Sequence, residues 1–412
     1  MTAEPDDLVR SATRCLETGP RNGLGLAVSG GGDSMALLHM IGPAARARGL
    51  ACRVATVDHG LRPEARAEAE RVAAACARLD LPHEILDWTG WDERGNLQDA
   101  ARRARQALLA DWARRHNLDA VALGHTRDDQ AETVLMRLAR GSGVDGLSGM
   151  APARTAAGLL WLRPLLDLGR VELRDWLESR GIGWDEDPSN ADIRFQRVRA
   201  RRALTVLEPV GVTPNGLVAT AERMALARAA LEHLADTLSA RAVHLAAGAV
   251  AIDQRALTEA PEETRLRLVS AALRWIAGSD YRPRIEALRA ALAGASVRRR
   301  TLGGVVLETW RGTLWLSREV AATGPDAKPD ALWDGRWQLS GPELSGAHVA
   351  ALGERGMPLC PKWRELGLPR AALLASPAVW RGETLVAAPC AGEPGEWSAR
   401  IVADFPYRVL PH

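Results

Sequence analysis

The chain has 412 residues, of which 47% are hydrophobic and 25% charged, and its formal net charge is only +2. These values are typical of an ordinary globular protein, and the near-neutral charge does not by itself indicate a polyanionic partner. No apolar run approaches the roughly 20 residues that cross a bilayer, which excludes a long membrane-spanning helix. The length exceeds what one compact core usually holds, so we expect two or three domains.

The cysteines and the N-terminus indicate the compartment. The five cysteines are odd in number and widely scattered, with neither a CxxC pair nor a zinc-binding spacing, which argues against a disulfide framework. The N-terminal segment MTAEPDDLVR is acidic and lacks the basic and apolar regions of a signal peptide. The sequence therefore predicts a cytoplasmic protein with free thiols.

The first predicted strand, residues 24–28, runs directly into a loop rich in glycine and serine. This glycine loop consists of Ser29, Gly30, Gly31, Gly32, Asp33 and Ser34. Glycines let the backbone approach an oxyanion closely, and the first N–H groups of a helix lack internal partners, so the loop predicts a phosphate site. A Walker-type loop would need a lysine after its last glycine, but the two lysines are Lys328 and Lys362. The alternative is a plain turn in which Asp33 caps the following helix.

Strands and helices alternate over the first two hundred residues. Further strands are predicted at 53–58, 83–87 and 120–124, and helices at about 34–48, 64–79, 97–116, 128–140 and 170–180. This alternation predicts an α/β fold with a doubly wound, mostly parallel sheet. In such sheets ligands bind beyond the carboxyl ends of the strands. The glycine loop, Asp58-His59-Gly60 and Gly124-His125 all follow strands, so we expect them to converge on one site.

Residues 124–133, GHTRDDQAET, form the second strong signal. His125 follows a predicted strand, and Asp128 and Asp129 open the next helix. Asp129 and Glu132 are three positions apart, so their carboxylates share a helix face and could hold Mg²⁺ or an ammonium group. The alternative is a helix cap, which explains one aspartate but not His125 and Glu132 as well.

Arginines crowd the helix that is predicted after the turn-rich segment at residues 185–190. They are Arg194, Arg197, Arg199, Arg201 and Arg202. The planar guanidinium suits bidentate contact with phosphate. Arginine is abundant throughout the chain, because 51 of the 53 basic residues are arginine and two are lysine. Because arginine is so abundant, a solvated helix face is an equally good interpretation of this run.

Composition shifts along the chain predict three domains. A linker between Pro209 and Pro214 ends a first, α/β domain at residues 1–208. Residues 209–320 are predicted to be mainly helical, with helices at 215–247, 261–277 and 283–293, a strand at 249–253 and alternating strands over 301–317. Residues 321–412 are predicted to form a small accessory region of short strands and turns.

Together these motifs resemble the tRNA(Ile)-lysidine synthetase family of PP-loop ATP pyrophosphatases. The glycine loop matches the family's SGGxDS signature, and residues 124–133 match GHxxDDxxET. Segments 57–62, 95–102 and 187–190 are also similar to the family's motifs. The likeness is close over about residues 20–205 and looser to about residue 317.

The chain departs from the family's usual pattern at three positions. Asp58 and Thr126 stand where the family often has histidine, and Val198 stands where it usually has asparagine. None of these changes removes an obvious catalytic group.

The resemblance implies an ATP-dependent ligase with an adenine nucleotide alpha hydrolase-like catalytic domain and a mainly helical tRNA-binding domain. Members of the family attach L-lysine to C2 of the wobble cytidine in the CAU anticodon of tRNA(Ile), through an adenylated cytidine. AMP and pyrophosphate are released, and codon recognition changes from AUG to AUA. By this resemblance residues 29–34 would bind ATP, and Asp33 and Asp129 would place Mg²⁺. Asp129 and Glu132 would orient the lysine ammonium, and His125 would accept its proton or contact a phosphate.

The same resemblance assigns the arginine-rich helix to the tRNA. Arg197 would lie nearest the target base. Arg199, Arg201 and Arg202 would hold backbone phosphates, which carry no sequence information.

Three other functions fit the sequence less well. A PP-loop tRNA thiolase generally needs paired cysteines or an iron–sulfur site, and no two cysteines here have such spacing. A synthetase that acts on a small metabolite would leave the arginine-rich helix and the later domains unexplained. A non-catalytic tRNA-binding relative would not need Asp33, His125, Asp129 and Glu132.

Overall fold

The computed structural model describes residues 5–60, 64–89, 97–156, 158–186, 192–279, 283–294 and 299–408. Parts of three family motifs, residues 61–62, 95–96 and 187–190, lie outside the described residues. The chain forms two compact units, Met1–Arg228 and Ala229–His412. The boundary falls within one long helix, and the division at residues 208 and 320 stays a prediction.

The first unit alternates strands and helices along the chain. Its strands are β1 (Gly23–Ala27), β2 (Ala51–Asp58), β3 (His83–Asp87), β4 (Ala120–Leu123), β5 (Ala153–Ala156) and β6 (Leu159–Leu162). Its helices are α1 (Pro5–Thr13), α2 (Cys15–Thr18), α3 (Gly32–Ala47), α4 (Glu64–Arg78), α5 (Leu97–Arg115), α6 (Arg127–Leu138), α7 (Val144–Leu147), α8 (Arg170–Glu178) and α9 (Gln196–Leu207). Helix α10 (Pro214–Ala242) contains the boundary between the two units. The four strands and five helices predicted before residue 190 are all present.

The six strands form one sheet in the order β3-β2-β1-β4-β6-β5. Neighbouring strands pair in parallel except for β5, which runs antiparallel to β6 at the edge. This arrangement confirms the predicted doubly wound, mostly parallel α/β sheet. The last two strands were not predicted, because segments of four residues each are too short for a periodic signal.

The centre of the sheet is buried on both faces, which is why its strands are continuously apolar. Every residue of β1 is buried. Leu24 and Leu26 belong to one core cluster with α3, whereas Ala27 belongs to a second cluster with Trp112 of α5. A Cβ on Gly25 would lie 2.4 Å from the Trp112 ring, so the indole packs directly over the strand backbone. Two apolar layers of helices therefore fix the strands that carry the site.

The sheet order places the site at its switch point. The chain passes from β1 to β2 on one side, and β4 later pairs with β1 on the other side. The connections at the carboxyl ends of β1 and β4 therefore diverge and leave a crevice between them. The glycine loop follows β1, and Gly124-His125 follows β4.

The second unit is richer in strands than predicted. Its strands are β7 (Val243–Ala246), β8 (Ala249–Asp253), β9 (Arg300–Leu302), β10 (Val305–Trp310), β11 (Thr313–Arg318), β12 (Trp337–Ser340), β13 (Ala347–Ala351), β14 (Pro377–Arg381), β15 (Thr384–Ala387) and β16 (Ser398–Ile401). Its helices are α11 (Gln254–Glu259), α12 (Glu262–Ala277), α13 (Ile285–Leu292), α14 (Gly353–Gly356) and α15 (Arg370–Leu374). The strands form sheets in the orders β7-β8-β11-β10-β9, β13-β14-β15 and β12-β16.

The predicted end of the long helix was wrong. Helix α10 ends at Ala242 rather than near residue 247, and β7 then pairs antiparallel with β8. Ala247 and Gly248 form the two-residue turn, both with positive φ (46° and 75°), as in the tight turns that match strand twist. Alanine and leucine are strong helix formers, so their abundance here concealed the hairpin.

None of the helices in the described ranges is long and apolar enough to cross a membrane. All five cysteines are free.

Candidate active site

The glycine loop joins the end of β1 to the first turn of α3. Gly30 has φ +93°, a backbone conformation that glycine adopts without steric cost. The Ser34 hydroxyl donates a hydrogen bond to the Gly31 carbonyl (2.9 Å) and accepts one from the Ser29 N–H (3.1 Å). Ser34 therefore fixes the loop from within, at a helix N-terminus that is suited to an anion.

The end of β4 packs directly against this loop. A Cβ on Gly124 would lie 3.1 Å from the Asp33 carbonyl oxygen and 3.2 Å from the Ser34 Cα. Glycine allows this close approach because it has no side chain. The contact brings His125 and the first turn of α6 beside Asp33, so two of the three predicted site segments meet.

The start of α6 is fixed by a reciprocal cap. The Thr126 hydroxyl accepts a hydrogen bond from the Asp129 N–H (3.4 Å), and Asp129 Oδ2 accepts one from the Thr126 N–H (2.9 Å). Thr126, where the family often has histidine, is thus the N-cap residue. Asp129 therefore caps the helix, as the alternative interpretation of this residue proposed. It uses Oδ2 for the cap, so its Oδ1 is available to the site.

Three carboxylates meet at one arginine. Arg170 Nε lies 3.1 Å from Asp33 Oδ2, its Nη2 lies 3.3 Å from Asp129 Oδ1, and its Nη1 lies 3.6 Å from Glu132 Oε1. We call Asp33, Asp129 and Glu132 the acidic cluster. Glu132 is 1% exposed and Arg170 16%, so these charges interact with little solvent between them.

Helix α9 contributes two more arginines to the cluster. Arg197 Nη1 lies 3.5 Å from Asp129 Oδ1, and Arg201 Nε lies 2.8 Å from Glu132 Oε1. The two arginines are four residues apart and therefore share a helix face. Arg199 projects from another face, is exposed, and donates to the carbonyls of Ile193 and Arg194. Arg202 is also exposed.

Two oxygens of the acidic cluster are buried without a hydrogen-bond partner in the described residues. They are Asp33 Oδ1 and Glu132 Oε2. The other oxygen of each carboxylate is held by an arginine. A buried unpaired carboxylate oxygen is costly unless a ligand completes it, so both atoms indicate binding positions.

The pKa values of Asp33 and Asp129 depend on burial and on Arg170. Burial raises the pKa of Asp33, although the Arg170 guanidinium opposes that rise. Burial also acts to raise the pKa of Asp129, but Arg170, the Thr126 N–H and Arg197 outweigh it, so the net shift is downward. Burial lowers the pKa of Arg170, but the three carboxylates raise it above its usual value, so this arginine stays charged. An additional cation beside Asp33 would therefore be favourable.

His125 lies beside the cluster as a neutral imidazole. Its Nδ1 is buried and has no hydrogen-bond partner in the described part of the chain. Burial lowers the pKa of His125 to about 3, and Arg163 and Arg197 lower it as well, although Asp129 acts in the opposite direction. An imidazole with so low a pKa is a weak base but remains able to donate or accept a hydrogen bond.

Because His125 is neutral in the folded protein, the stability of the protein should depend on pH. Since the pKa lies below the ordinary value of 6.5, the unfolded chain binds more protons than the folded one between pH 6.5 and about 3, and stability falls as the pH drops through this range. His125→Gln removes that loss. We expect the stability advantage of the unsubstituted protein over the variant to shrink by about 1 kcal/mol between pH 7 and pH 5, allowing for partial exposure. Urea unfolding of both proteins at the two pH values measures this, and parallel pH profiles would contradict it.

The third predicted segment, Asp58-His59-Gly60, lies near an arginine that also acts on His125. The Asp58 carboxylate accepts a hydrogen bond from the Gly60 N–H (2.9 Å), and the His59 ring packs edge-on against Trp88. Burial lowers the pKa of His59, and Arg105 lowers it further, as Arg105 also does at His125. Side chains after β2 and β4 therefore lie within the field of one arginine on α5.

The predicted metal ligands fit a nucleotide-bound ion better than a metal held by protein alone. No group of three or more His, Cys, Asp or Glu side chains in the described residues could hold a metal. Mg²⁺ commonly takes one or two carboxylates and completes its shell with phosphate and water. Asp33 Oδ1, which lies in the glycine loop and has no hydrogen-bond partner among the described residues, suits that role, whereas both oxygens of Asp129 already accept hydrogen bonds.

The sequence interpretation missed Arg170, the residue that all three carboxylates share. Its local signal is weak, because it is one of 51 arginines (53 basic residues less two lysines) at the start of an ordinary helix. It also lies 137 residues from Asp33 and 41 from Asp129 along the chain.

Comparison with known proteins agrees with this geometry. Residues 6–208 match the PP-loop domain family. The chain is 45% identical over 417 residues to the tRNA(Ile)-lysidine synthase of Ruegeria pomeroyi, which covers 100% of both chains. It is 44% identical to that of Methylobacterium nodulans, over 76% of this chain and 95% of the relative. It is 36% identical to that of Rhizobium meliloti, over 84% of this chain and 79% of the relative. With a full-length match at this identity, the chain belongs to the tRNA(Ile)-lysidine synthase family.

Proposed function

We propose that this protein is an ATP-dependent ligase that joins L-lysine to C2 of the wobble cytidine in the CAU anticodon of tRNA(Ile). The observation that carries the proposal is the meeting of three features at the switch point of the sheet: the glycine loop, the acidic cluster and the arginine face of α9. The product, lysidine, would change codon recognition from AUG to AUA. A tRNA substrate also supports a cytoplasmic location.

The first step is adenylation of the base. The glycine loop, Ser29 to Ser34, holds the β- and γ-phosphates of ATP at the N-terminus of α3. The cytidine O2 attacks the α-phosphorus, the bond to the β-phosphate oxygen breaks, and pyrophosphate leaves. Mg²⁺, held by Asp33 with Asp129 nearby, would neutralise phosphate charge when bound. The protein's own contribution is positioning and a fixed electrostatic field.

The second step transfers lysine. The buried Glu132 Oε2 and the neighbouring Asp129 receive the ε-ammonium, which gives one proton to the Glu132 carboxylate before its nitrogen attacks C2. The C2–O bond then breaks, and AMP leaves with the former base oxygen. His125, whose pKa is about 3, is too weak a base to take that proton readily, which favours a hydrogen bond to phosphate instead.

The arginine-rich helix provides the contact with the polyanionic substrate. Arg197, 43% exposed at the edge of the acidic cluster, lies where a base entering the site would pass. Arg199 and Arg202 are exposed and suited to backbone phosphates. Arg201 holds Glu132 in the free protein, so its predicted phosphate contact would add to that ion pair. We further propose that residues 209–320 bind the body of the tRNA and that residues 321–412 form an accessory region.

Incorporation of labelled lysine tests the activity directly. The protein is incubated with ATP, Mg²⁺, radiolabelled lysine and a tRNA(Ile) transcript that carries CAU. Label should enter the tRNA, with one AMP released for each lysine bound. Nucleotide hydrolysis without labelled tRNA would overturn the proposal. Binding of tRNA without nucleotide turnover would favour the non-catalytic alternative, and sulfur transfer from a sulfur donor would favour a thiolase.

Arg197→Ala should weaken turnover that depends on tRNA more than it weakens ATP binding. We expect kcat/KM for tRNA to fall about 30-fold, the effect of losing one charge-assisted contact of about 2 kcal/mol. The Kd of a non-hydrolysable ATP analogue should change by less than about threefold. Arg10→Ala, a substitution of an exposed arginine paired with Asp7, is the control and should alter neither quantity. Equal losses in tRNA turnover and nucleotide binding would contradict the assigned role.

A further inference from the structure

Arg170 is held in place at both ends. It is the first residue of α8, and its backbone N–H donates a hydrogen bond to Asp128 Oδ2 at 2.7 Å. The preceding Gly169 N–H donates to Glu172 Oε2 at 2.7 Å, which caps the helix. Its guanidinium reaches Asp33 on α3 and the carboxylates of α6. One side chain therefore joins the starts of three helices.

The guanidinium also determines which carboxylate oxygens are free. Asp33 uses Oδ2 for Arg170 and leaves Oδ1 unpaired among the described residues. Glu132 uses Oε1 for Arg201 and Arg170 and leaves Oε2 unpaired among the same residues. Asp33 Oδ1 belongs to the glycine loop, and Glu132 Oε2 belongs to α6. Arg170 thus orients one binding atom in each of two subsites.

We propose that Arg170 is a positioning residue that couples ATP binding at the glycine loop to lysine binding at Glu132. The inference rests on the proposed function, which supplies the two ligands. When one ligand fixes its carboxylate, the shared guanidinium loses freedom, and the second carboxylate is already oriented when its own ligand arrives. Ordering the guanidinium then costs conformational entropy only once for the two binding events. Each ligand therefore favours binding of the other, which is positive coupling between two sites.

Calorimetry on the full chain without tRNA tests this coupling. The Kd of lysine is measured alone and with a saturating non-hydrolysable ATP analogue plus Mg²⁺. For the unsubstituted protein we expect the analogue to tighten lysine binding at least about fivefold, the lower range of measured couplings. Arg170→Lys keeps the charge, but a compact ammonium cannot span carboxylates on two helices as the planar fork does. Its coupling factor, like that of Arg170→Gln, should fall to about 1.

Arg174→Gln is the matched control. Arg174 lies one turn further along α8 and pairs with Glu186 at the surface. This variant should keep the full coupling factor, and thermal melting should show that all variants are folded. If Arg170→Gln does not fold, Arg170→Lys carries the test alone.

Three outcomes would overturn the inference: no coupling in the unsubstituted protein, unchanged coupling in both Arg170 variants, or an equal loss in Arg174→Gln. The proposed function fails separately, when the unsubstituted protein does not transfer lysine to the tRNA. If lysine transfer is intact but the coupling factor is unchanged in the Arg170 variants, only the coupling role of Arg170 is rejected.

Discussion

Asp33→Asn is expected to reduce ATP-dependent AMP release about 10³-fold while the protein remains folded. Asp33 supplies the carboxylate of the glycine loop, and its Oδ1 is buried without a partner in the described residues. Asparagine has nearly the same size but no charge, so a cation bridging to the phosphates would lose its ligand. The Arg170 guanidinium would still pair with Asp129 and Glu132, which should preserve the local structure. AMP release from labelled ATP in the presence of tRNA and lysine measures the effect.

Asp111→Asn provides the comparison for this substitution. Asp111 is an exposed residue of α5 that pairs with Arg114, so the same chemical change there should leave AMP release within about twofold. The melting temperatures of both variants show whether a loss of activity reflects unfolding. If Asp33→Asn retained more than a tenth of the normal rate, the phosphate site would have been placed wrongly.

The second large effect is expected from Glu132→Gln, which should separate the two steps of the reaction. Lysine transfer should fall about 10²-fold, because the variant loses the charged acceptor for the ammonium. Formation of the adenylated tRNA should persist within about threefold, since the glycine loop and Asp33 are unchanged. Pyrophosphate exchange reports the first step, and labelled lysine in the tRNA reports the second.

The same substitution should lower stability by about 2 kcal/mol. Glu132 is 1% exposed and pairs with Arg201 at 2.8 Å, so the variant leaves buried positive charge less well compensated. The value lies below that of a fully buried pair because Arg201 is 39% exposed. Glu178→Gln, at the exposed end of α8, is the control and should change neither stability nor transfer. A parallel loss of both reaction steps in Glu132→Gln would argue against a role confined to lysine.

Much of the catalytic unit could be predicted because its signals are local. The glycine loop follows a continuously apolar segment and precedes a helix, and these neighbours are enough to place it at the end of β1. The start of α6 carries its own caps, so residues 126–132 indicate a helix N-terminus without any tertiary contact. Alternating strands and helices then predict a doubly wound sheet, and that fold places ligands at the carboxyl ends of strands.

Local signals of this kind could not predict segments that are short or ambiguous. Strand β6 has four residues, yet it extends the sheet beside β4. The hairpin of β7 and β8 was concealed by alanine and leucine, which favour a helix when no partner strand is considered. Pairing with another strand decided both segments, with the distant β4 for β6 and with the adjacent β8 for β7.

The arginines show most clearly what sequence alone determined and what it did not. Sequence determined that arginines crowd α9 and that Asp33, Asp129 and Glu132 follow strands whose ends converge. Only the tertiary structure decided that Arg197 and Arg201 face the acidic cluster while Arg199 projects elsewhere. Only the tertiary structure shows that Arg170, one of 51 arginines (53 basic residues less two lysines), is the shared partner of three carboxylates. The physical reason is that an ion pair depends on distances in space, and these partners are brought together by the packing of α3, α6 and α8 rather than by spacing along the chain.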